Sequence, residues 1–404
     1  MELLIKNVRL VDYSKDCYKD IYIKDGKIEK IENNIEKECK TIDGKHHVIL
    51  PSFIDSHAHF RYPGLTYKED IESGSLAALG GGYTGVNLMA NAKPPISNME
   101  EVNEVLNESE RIGLIDIHQT ASITYHFNGE DISKIDELDD KVKVISEDGQ
   151  DVASNIVMLK AMMKAKKNRK LVMAHCEDRE IAKIDSRLSE NLMTIRNIEL
   201  AKEAKVKFHV SHVSTKEAMD YIICSKKKGY NISCEVTPHH LSLTDETKYD
   251  VNPPLRKKED IFYLINAIKG GYVDMIGTDH APHSSEDKEN GANGISGIET
   301  AFSVCYTTLV RNNHISLNKL SCLMSKNPAN LLGFNKGEIR EGLDGDLVLV
   351  DLESKYKVDS NKFYSKGKNT PFNNMEFYGE ILATIKAGKI SYVNYNRRDC
   401  LDYR

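Results

Sequence analysis

The run Val48-Ile49-Leu50-Pro51-Ser52-Phe53-Ile54-Asp55-Ser56-His57-Ala58-His59 sets an apolar strand, closed by Pro51, shortly before two histidines spaced two apart. Residues two apart on a strand project to the same face, so both imidazoles can reach one metal ion. An isolated His-x-His is as readily a pair of surface or core histidines. The positions of the other histidines distinguish this one.

His175 ends the apolar run Leu171-Val172-Met173-Ala174, and His212 follows Phe208-His209-Val210-Ser211. Asp279 and His280 follow Met275-Ile276-Gly277-Thr278. Each lies at the C-terminal end of an expected strand, where barrel enzymes build their active sites. Together they line a mouth with His57, His59, His175, His212 and Asp279. Imidazole nitrogens with a carboxylate favour Zn²⁺, with Mn²⁺, Co²⁺ or Fe²⁺ as alternatives. Asp148, in Val144-Ile145-Ser146-Glu147-Asp148-Gly149, also follows a strand. A carboxylate there can bridge two metals about 3.5–4 Å apart, although a lone Glu-Asp-Gly is usually just a solvated turn. Asp279 can ligate through one oxygen and move protons with the other.

Outward from these motifs, residues 51–334 alternate short apolar strands with helical patterns. Expected helices include Ile71–Leu79, Met99–Ile112, Ile156–Lys167, Thr194–Ala204 and Glu217–Lys228. Expected strands include Gly85–Met89, Lys141–Ile145, Leu171–Ala174, Lys207–Val210, Ile232–Val236 and Met275–Thr278. Repeated strand–helix units of this length imply an α/β fold, a TIM-like (β/α)8 barrel, with a doubly wound open sheet as the alternative. Both ends are β-rich. Asp25-Gly26 between two alternating runs is a hairpin signal, and Gly345–Asp351 and Ile381–Ile390 alternate similarly. Residues 1–50 with 335–404 therefore form one small β-sandwich domain, and 51–334 the catalytic domain.

The length of 404 residues suits one large domain plus a minor one. A net charge of -6 without a basic patch argues against nucleic acid and membrane surfaces as partners. The first residues carry no basic stretch followed by an apolar one, and no run of about 18 apolar residues occurs, so neither a signal peptide nor a span is expected. Eight scattered cysteines, Cys400 included, read as reduced thiols of a cytoplasmic protein.

Asp55-Ser56-His57-Ala58-His59-Phe60-Arg61-Tyr62-Pro63-Gly64 resembles the opening metal motif of the dihydroorotases, cyclic amide hydrolases of the amidohydrolase superfamily. The resemblance continues, in family order, through Gly81–Thr84, Met89–Pro94, Ala174–Asp178, His209–Thr215, Glu235–Leu241, Asn252–Arg256 and Thr278–His283. It implies a small-molecule substrate, N-carbamoyl-L-aspartate closing reversibly to L-dihydroorotate in pyrimidine biosynthesis, and two zinc ions per chain. By resemblance His57, His59 and Asp279 hold the first zinc, Asp148 bridges, and His175 and His212 hold the second. A zinc-bound hydroxide is then the nucleophile and Asp279 the general acid/base. Some relatives bridge with a carboxylated lysine, but the stretch around Lys143 resembles the branch that uses aspartate, leaving Lys143 a solvated strand residue.

Arg61 is suited to grip the substrate carboxylate in a bidentate manner. The resemblance adds Asn91 and His283 to that grip, gives Asn252 a contact with the ring, and brings the backbone at Asn293 and Gly294 close to substrate. His239 and His240 are expected to pack or support rather than ligate. The sequence departs from the family at Tyr62 (usually Glu), Ala90 and Ala92 (Pro and Thr), Glu147 (Asp) and Asn293 (an apolar residue). Gly291–Gly297 is either a lid or a flexible connection. Many relatives form dimers, so a homodimer is one expected assembly. Two rival functions are an allantoinase or hydantoinase, and a non-catalytic paralogue partnering an aspartate carbamoyltransferase. Arg61 argues against the first, and the retained histidines argue against the second.

Overall fold

The computed structural model describes residues 1–395, 397, 402 and 403. Five strands come first: β1 (Glu2–Val11), β2 (Asp16–Lys24), β3 (Lys27–Glu32), β4 (Lys40–Asp43) and β5 (Val48–Pro51). Eight more follow: β6 (Phe53–Ala58), β7 (Tyr83–Leu88), β8 (Asp116–Gln119), β9 (Val144–Ser146), β10 (Leu171–Ala174), β11 (Phe208–Val210), β12 (Ile232–Val236) and β13 (Met275–Ile276). The last four are β14 (Leu347–Lys357), β15 (Glu376–Lys386), β16 (Lys389–Val393) and β17 (Asp402–Tyr403).

Strands β6 to β8 and β9 to β13 form two parallel sheets. Parallel bridges Ala121–Ile145 and Ala58–His280 join them at both edges. The eight strands therefore close into a barrel, and the open-sheet alternative falls. Helices outside it include Met99–Ile112, which starts and ends where its sequence dictates. Asn98 and Glu101 form a capping box at its start, and Gly113 ends it at φ 66°.

Two elements differ from expectation. The helix expected at Thr194–Ala204 begins at Ser186, because Asp185 accepts from the amides of Arg187 and Leu188. Its extra turns carry the exposed Leu188 and Leu192, which blur the apolar periodicity. The strand expected from Lys141 begins at Val144. Lys143 is exposed, and its N–H goes to His118 Nε2 at 2.8 Å instead of to a ladder. It enters the strand at the end opposite Asp148.

Both ends of the chain contribute to one nine-stranded mixed sheet. The first half of β1 pairs with β4, and its second half, after a bulge between Ile5 and Val8, pairs with β5. That switch folds the sheet over, and Leu3, Val8, Ile23, Ile49, Leu349 and Leu382 share one core. The β2–β3 hairpin turns at Asp25 and Gly26, with φ of 48° and 79°. Seven cysteines are free thiols, and Cys400 lies outside the described residues. No helix among the described residues is long and apolar enough to cross a membrane.

A buried charge cluster joins sheet and barrel. The Lys336 ammonium donates to Asp116 at the start of β8 and to Asp346 just before β14. Its side chain is 1% exposed. Lys386 of β15 lies 2.8 Å from Asp116 but 3.7 Å from Asp346. Lys336→Met leaves Asp346 buried with only that distant cation, and is expected to destabilise the protein by about 3–5 kcal/mol. A urea unfolding midpoint equal to wild type would refute this.

Candidate active site

The barrel gathers six residues at the C-terminal ends of its strands. His57 lies near the end of β6 and His59 just past it, and Asp148, His175, His212 and Asp279 follow β9, β10, β11 and β13. All six are buried except Asp279, whose side chain is 13% exposed. His57 Nε2 is 3.2 Å from Asp148 Oδ1 and 3.8 Å from Asp279 Oδ1. His59 Nε2 is 3.0 Å from Asp279 Oδ1. His212 Nε2 is 2.8 Å from His175 Nδ1 and 3.8 Å from Asp148 Oδ1. Arg61, His212 and Asp279 hold φ of 57°, 30° and 48°. Each left-handed non-glycine residue costs on the order of 1–3 kcal/mol, and such residues cluster at functional sites.

The donor set fits a metal. His57, His59 and Asp279 offer ligand atoms within 4.8 Å of one another, as do His57, Asp148 and His212. His57 Nε2, Asp148 Oδ1 and His212 Nδ1 are buried without a hydrogen bond. His57 Nε2 and Asp148 Oδ1 face each other at 3.2 Å, and orphaned atoms so placed are costly unless a cation satisfies them.

Around this cluster three of the four rings are oriented from behind. Glu235 of β12 lies 2.8 Å from His57 Nδ1, so His57 donates there and turns its free Nε2 to the cluster. Asn91 Oδ1 accepts from His59 Nδ1 at 2.7 Å, and Asn91 Nδ2 donates to Asp148 at 3.1 Å. Glu177 stands 3.1 Å from His175 Nε2 and accepts from Asn252 Nδ2 at 2.5 Å. Asn91 and Asn252, expected to touch substrate, thus spend these atoms on metal-site residues.

Electrostatics follow from this crowding. Burial alone raises the Asp148 carboxyl, but His57, His212 and His59 hold it well below the usual range. Burial likewise opposes charge on Asp279, and the hydrogen bond with His59 together with the charges of His57, His59 and His212 outweighs it downward. Glu177 drops to about 2 against its burial, through His175 and Asn252.

A second group lies beside the first. Arg61 Nη2 is 3.2 Å from His283 Nε2, and Arg61 Nε donates to the Pro282 carbonyl at 3.3 Å. Among the described residues Arg61 has no carboxylate within ion-pairing distance. Lys68 Nζ lies 3.3 Å from His283 Nδ1, and His283 Nε2 lies 2.9 Å from the Asn293 carbonyl. Lys68 therefore donates to Nδ1 and the ring carries its proton on Nε2. Burial, with Arg61 and Lys68, pushes the His283 pKa down to about 3, so the ring stays neutral. Asn293 has an exposed side chain. Gly294 has φ 145°, and a Cβ there would sit 2.6 Å from the Ala281 carbonyl oxygen, so only glycine fits.

The model described as "Amidohydrolase family" matches residues 48–391. A protein named "Dihydroorotase" from Clostridium botulinum (strain Eklund 17B / Type B) is 55% identical over 396 residues, covering 97% of this chain and all of that protein. Another of that name, from Thermoanaerobacter sp. (strain X514), is 40% identical and covers 97% of each chain. The chain belongs to the dihydroorotases of the amidohydrolase family. Its fold also matches the L-hydantoinase (dihydropyrimidinase) from Arthrobacter aurescens, with TM-score 0.88, 25% identity and coverage of 96% and 95%. The dihydropyrimidinase from Brevibacillus agri NCHU1002, at TM-score 0.85 and 24% identity, shows the same fold.

In this dihydroorotase family member, Glu235, Glu177 and Lys68 are site residues that sequence reasoning missed. Glu235 carried a usable signal: a carboxylate inside the buried strand Ile232–Val236 is rarely there without a partner. His239 and His240 are buried near the site. His240 is engaged by Thr237 and the Pro253 carbonyl, as a packing residue should be. Glu235→Gln is expected to weaken zinc binding 10- to 100-fold, roughly the effect of removing a carboxylate behind a ligating histidine. Competition with a chromophoric chelator measures it, and an unchanged dissociation constant would exclude the orienting role.

Proposed function

We propose that this chain interconverts N-carbamoyl-L-aspartate and L-dihydroorotate, with two zinc ions held by His57, His59, Asp148, His175, His212 and Asp279. The observation that carries it is Arg61, a guanidinium without a carboxylate partner beside the histidine–aspartate cluster. An unpaired, largely desolvated guanidinium there is a socket for a substrate carboxylate. A neutral ring leaves it unsatisfied, which disfavours a hydantoinase-like reading.

When bound, zinc supplies a Lewis acid for the ring carbonyl and lowers the pKa of water to about 7. The chain's own residues do the rest. Arg61 fixes the carboxylate and so the ring, joined by the Nε2–H of His283 when it turns from the Asn293 carbonyl to the substrate. In ring opening Asp279 accepts the proton of the attacking water and delivers it to the leaving amide nitrogen. In ring closure it works in reverse. Asn91, Asn252, Asn293 and Gly294 complete the walls. The same proposal assigns catalysis to residues 51–334, with residues 1–50 and 335–404 as the smaller unit, in a cytoplasmic enzyme whose homodimerisation is to be tested by its mass in solution.

The test incubates zinc-loaded protein with L-dihydroorotate and follows the ring absorbance, with allantoin and hydantoin in parallel. Loss of dihydroorotate alone is expected. Turnover of only a neutral ring would keep the metal site and overturn the substrate.

A further inference from the structure

Residues 364–370, in the connection between β14 and β15, leave the terminal sheet and lie between the two loops that carry the substrate-binding candidates. At one end Glu69, on the Arg61 loop, accepts from Ser365 Oγ at 2.5 Å and from the Lys366 amide at 3.2 Å. Lys366 Nζ donates to the Thr66 carbonyl at 2.7 Å and pairs with Asp70. At the other end Asn369 ties two segments together. Its Oδ1 accepts from the His283 amide at 2.9 Å and from Ser296 Oγ at 2.9 Å. Its Nδ2 donates to the Gly294 carbonyl at 2.9 Å, and its own carbonyl accepts from the Ser296 amide at 2.7 Å.

Between these anchors the fit is close. A Cβ on Gly367 would stand 2.7 Å from Pro282 Cβ and 2.9 Å from the His283 amide nitrogen. The strap therefore presses directly on the peptide that presents His283. Arg61 and His283 sit on loops 222 residues apart in sequence, yet they must hold a fixed spacing to grip one planar carboxylate. A segment anchored to both loops sets that spacing.

We infer that residues 364–370 are a specificity element, and that Asn369 is a positioning residue which holds His283 and Gly294 against Arg61 for a ring-borne carboxylate. This rests on the dihydroorotase reading of the site. Asn369 touches no reacting atom; it acts through the backbone of His283 and Gly294.

The test uses the zinc-loaded full chain as wild type, Asn369→Ala and Gly367→Ala, with kcat and KM for L-dihydroorotate, zinc content and melting temperature. KM is expected to rise about tenfold or more in both variants, the equivalent of one or two lost hydrogen bonds at the grip, while kcat stays within about threefold. Zinc content stays at the wild-type level. A merely structural role predicts the opposite split: apparent kcat falls with the folded, zinc-replete fraction and KM holds, which overturns the inference. Unchanged KM in folded, zinc-replete variants overturns it as well. Should Asn369→Ala fail to accumulate, Gly367→Ala, whose Cβ would stand 2.7 Å from Asn369 Oδ1 and 2.9 Å from the His283 amide, displaces the same contact and decides the matter alone. Wild-type protein that leaves L-dihydroorotate intact overturns the reading of the site itself, a result separate from either variant's.

Discussion

Asp279→Asn is expected to lower kcat for L-dihydroorotate by about three orders of magnitude while zinc stays bound, within the range of a lost general acid–base group. Asparagine keeps the shape and one oxygen of the carboxylate but has no basic site for the proton. In the structure Asp279 is the most exposed of the six cluster residues, with Oδ1 3.0 Å from His59 Nε2. Its amide donates to the His57 carbonyl at 2.9 Å, which fixes the residue from the backbone whatever the side chain. The remaining histidines and Asp148 still present the atoms that would hold metal. Turnover and metal content are measured on the same preparation. Near wild-type kcat would remove the proton-carrier role; loss of zinc together with activity would make Asp279 chiefly a ligand.

Arg61→Met should raise KM for L-dihydroorotate at least about a hundredfold, because two charge-assisted hydrogen bonds at about 1.5–3 kcal/mol each are lost. Methionine preserves much of the apolar stem, so the loop stays packed. Arg61→Lys should recover only part of the loss, since an ammonium cannot reproduce the planar fork. Initial rates over a wide substrate range separate KM from kcat. A KM within about threefold of wild type would show that the carboxylate is held elsewhere, with Lys68 the nearest alternative cation.

The barrel and its histidine–aspartate cluster were legible because their signals are local. His57-Ala58-His59, His175, His212 and Asp279 each close an apolar run, and strand ends in a closed barrel converge. Asp148 was legible from its place after Val144–Ser146. What escaped was whatever depends on approach between distant segments. Nothing near Asn369 announces that its side chain meets His283 and Gly294, 75 or more residues away. Lys68 reads as an ordinary surface lysine until the fold sets it on His283. The helix Lys258–Lys269 was not among the expected elements, and the first turns of Ser186–Ala204 escaped because the exposed Leu188 and Leu192 break the apolar periodicity. Asn91 and Asn252 were found as site residues, yet their hydrogen bonds run to His59, Asp148 and Glu177 rather than into open space.

The central strand β5 has one neighbour near it in the chain, β1, and the other, β14, almost 300 residues later, with Leu347 facing Pro51. During synthesis at about 5–20 residues per second, that second edge waits roughly 15–60 s for its partner. The whole barrel emerges from the ribosome in that interval. An apolar, unpaired edge of this kind is a template for pairing with other chains, so the nascent protein is most vulnerable to aggregation before β14 appears.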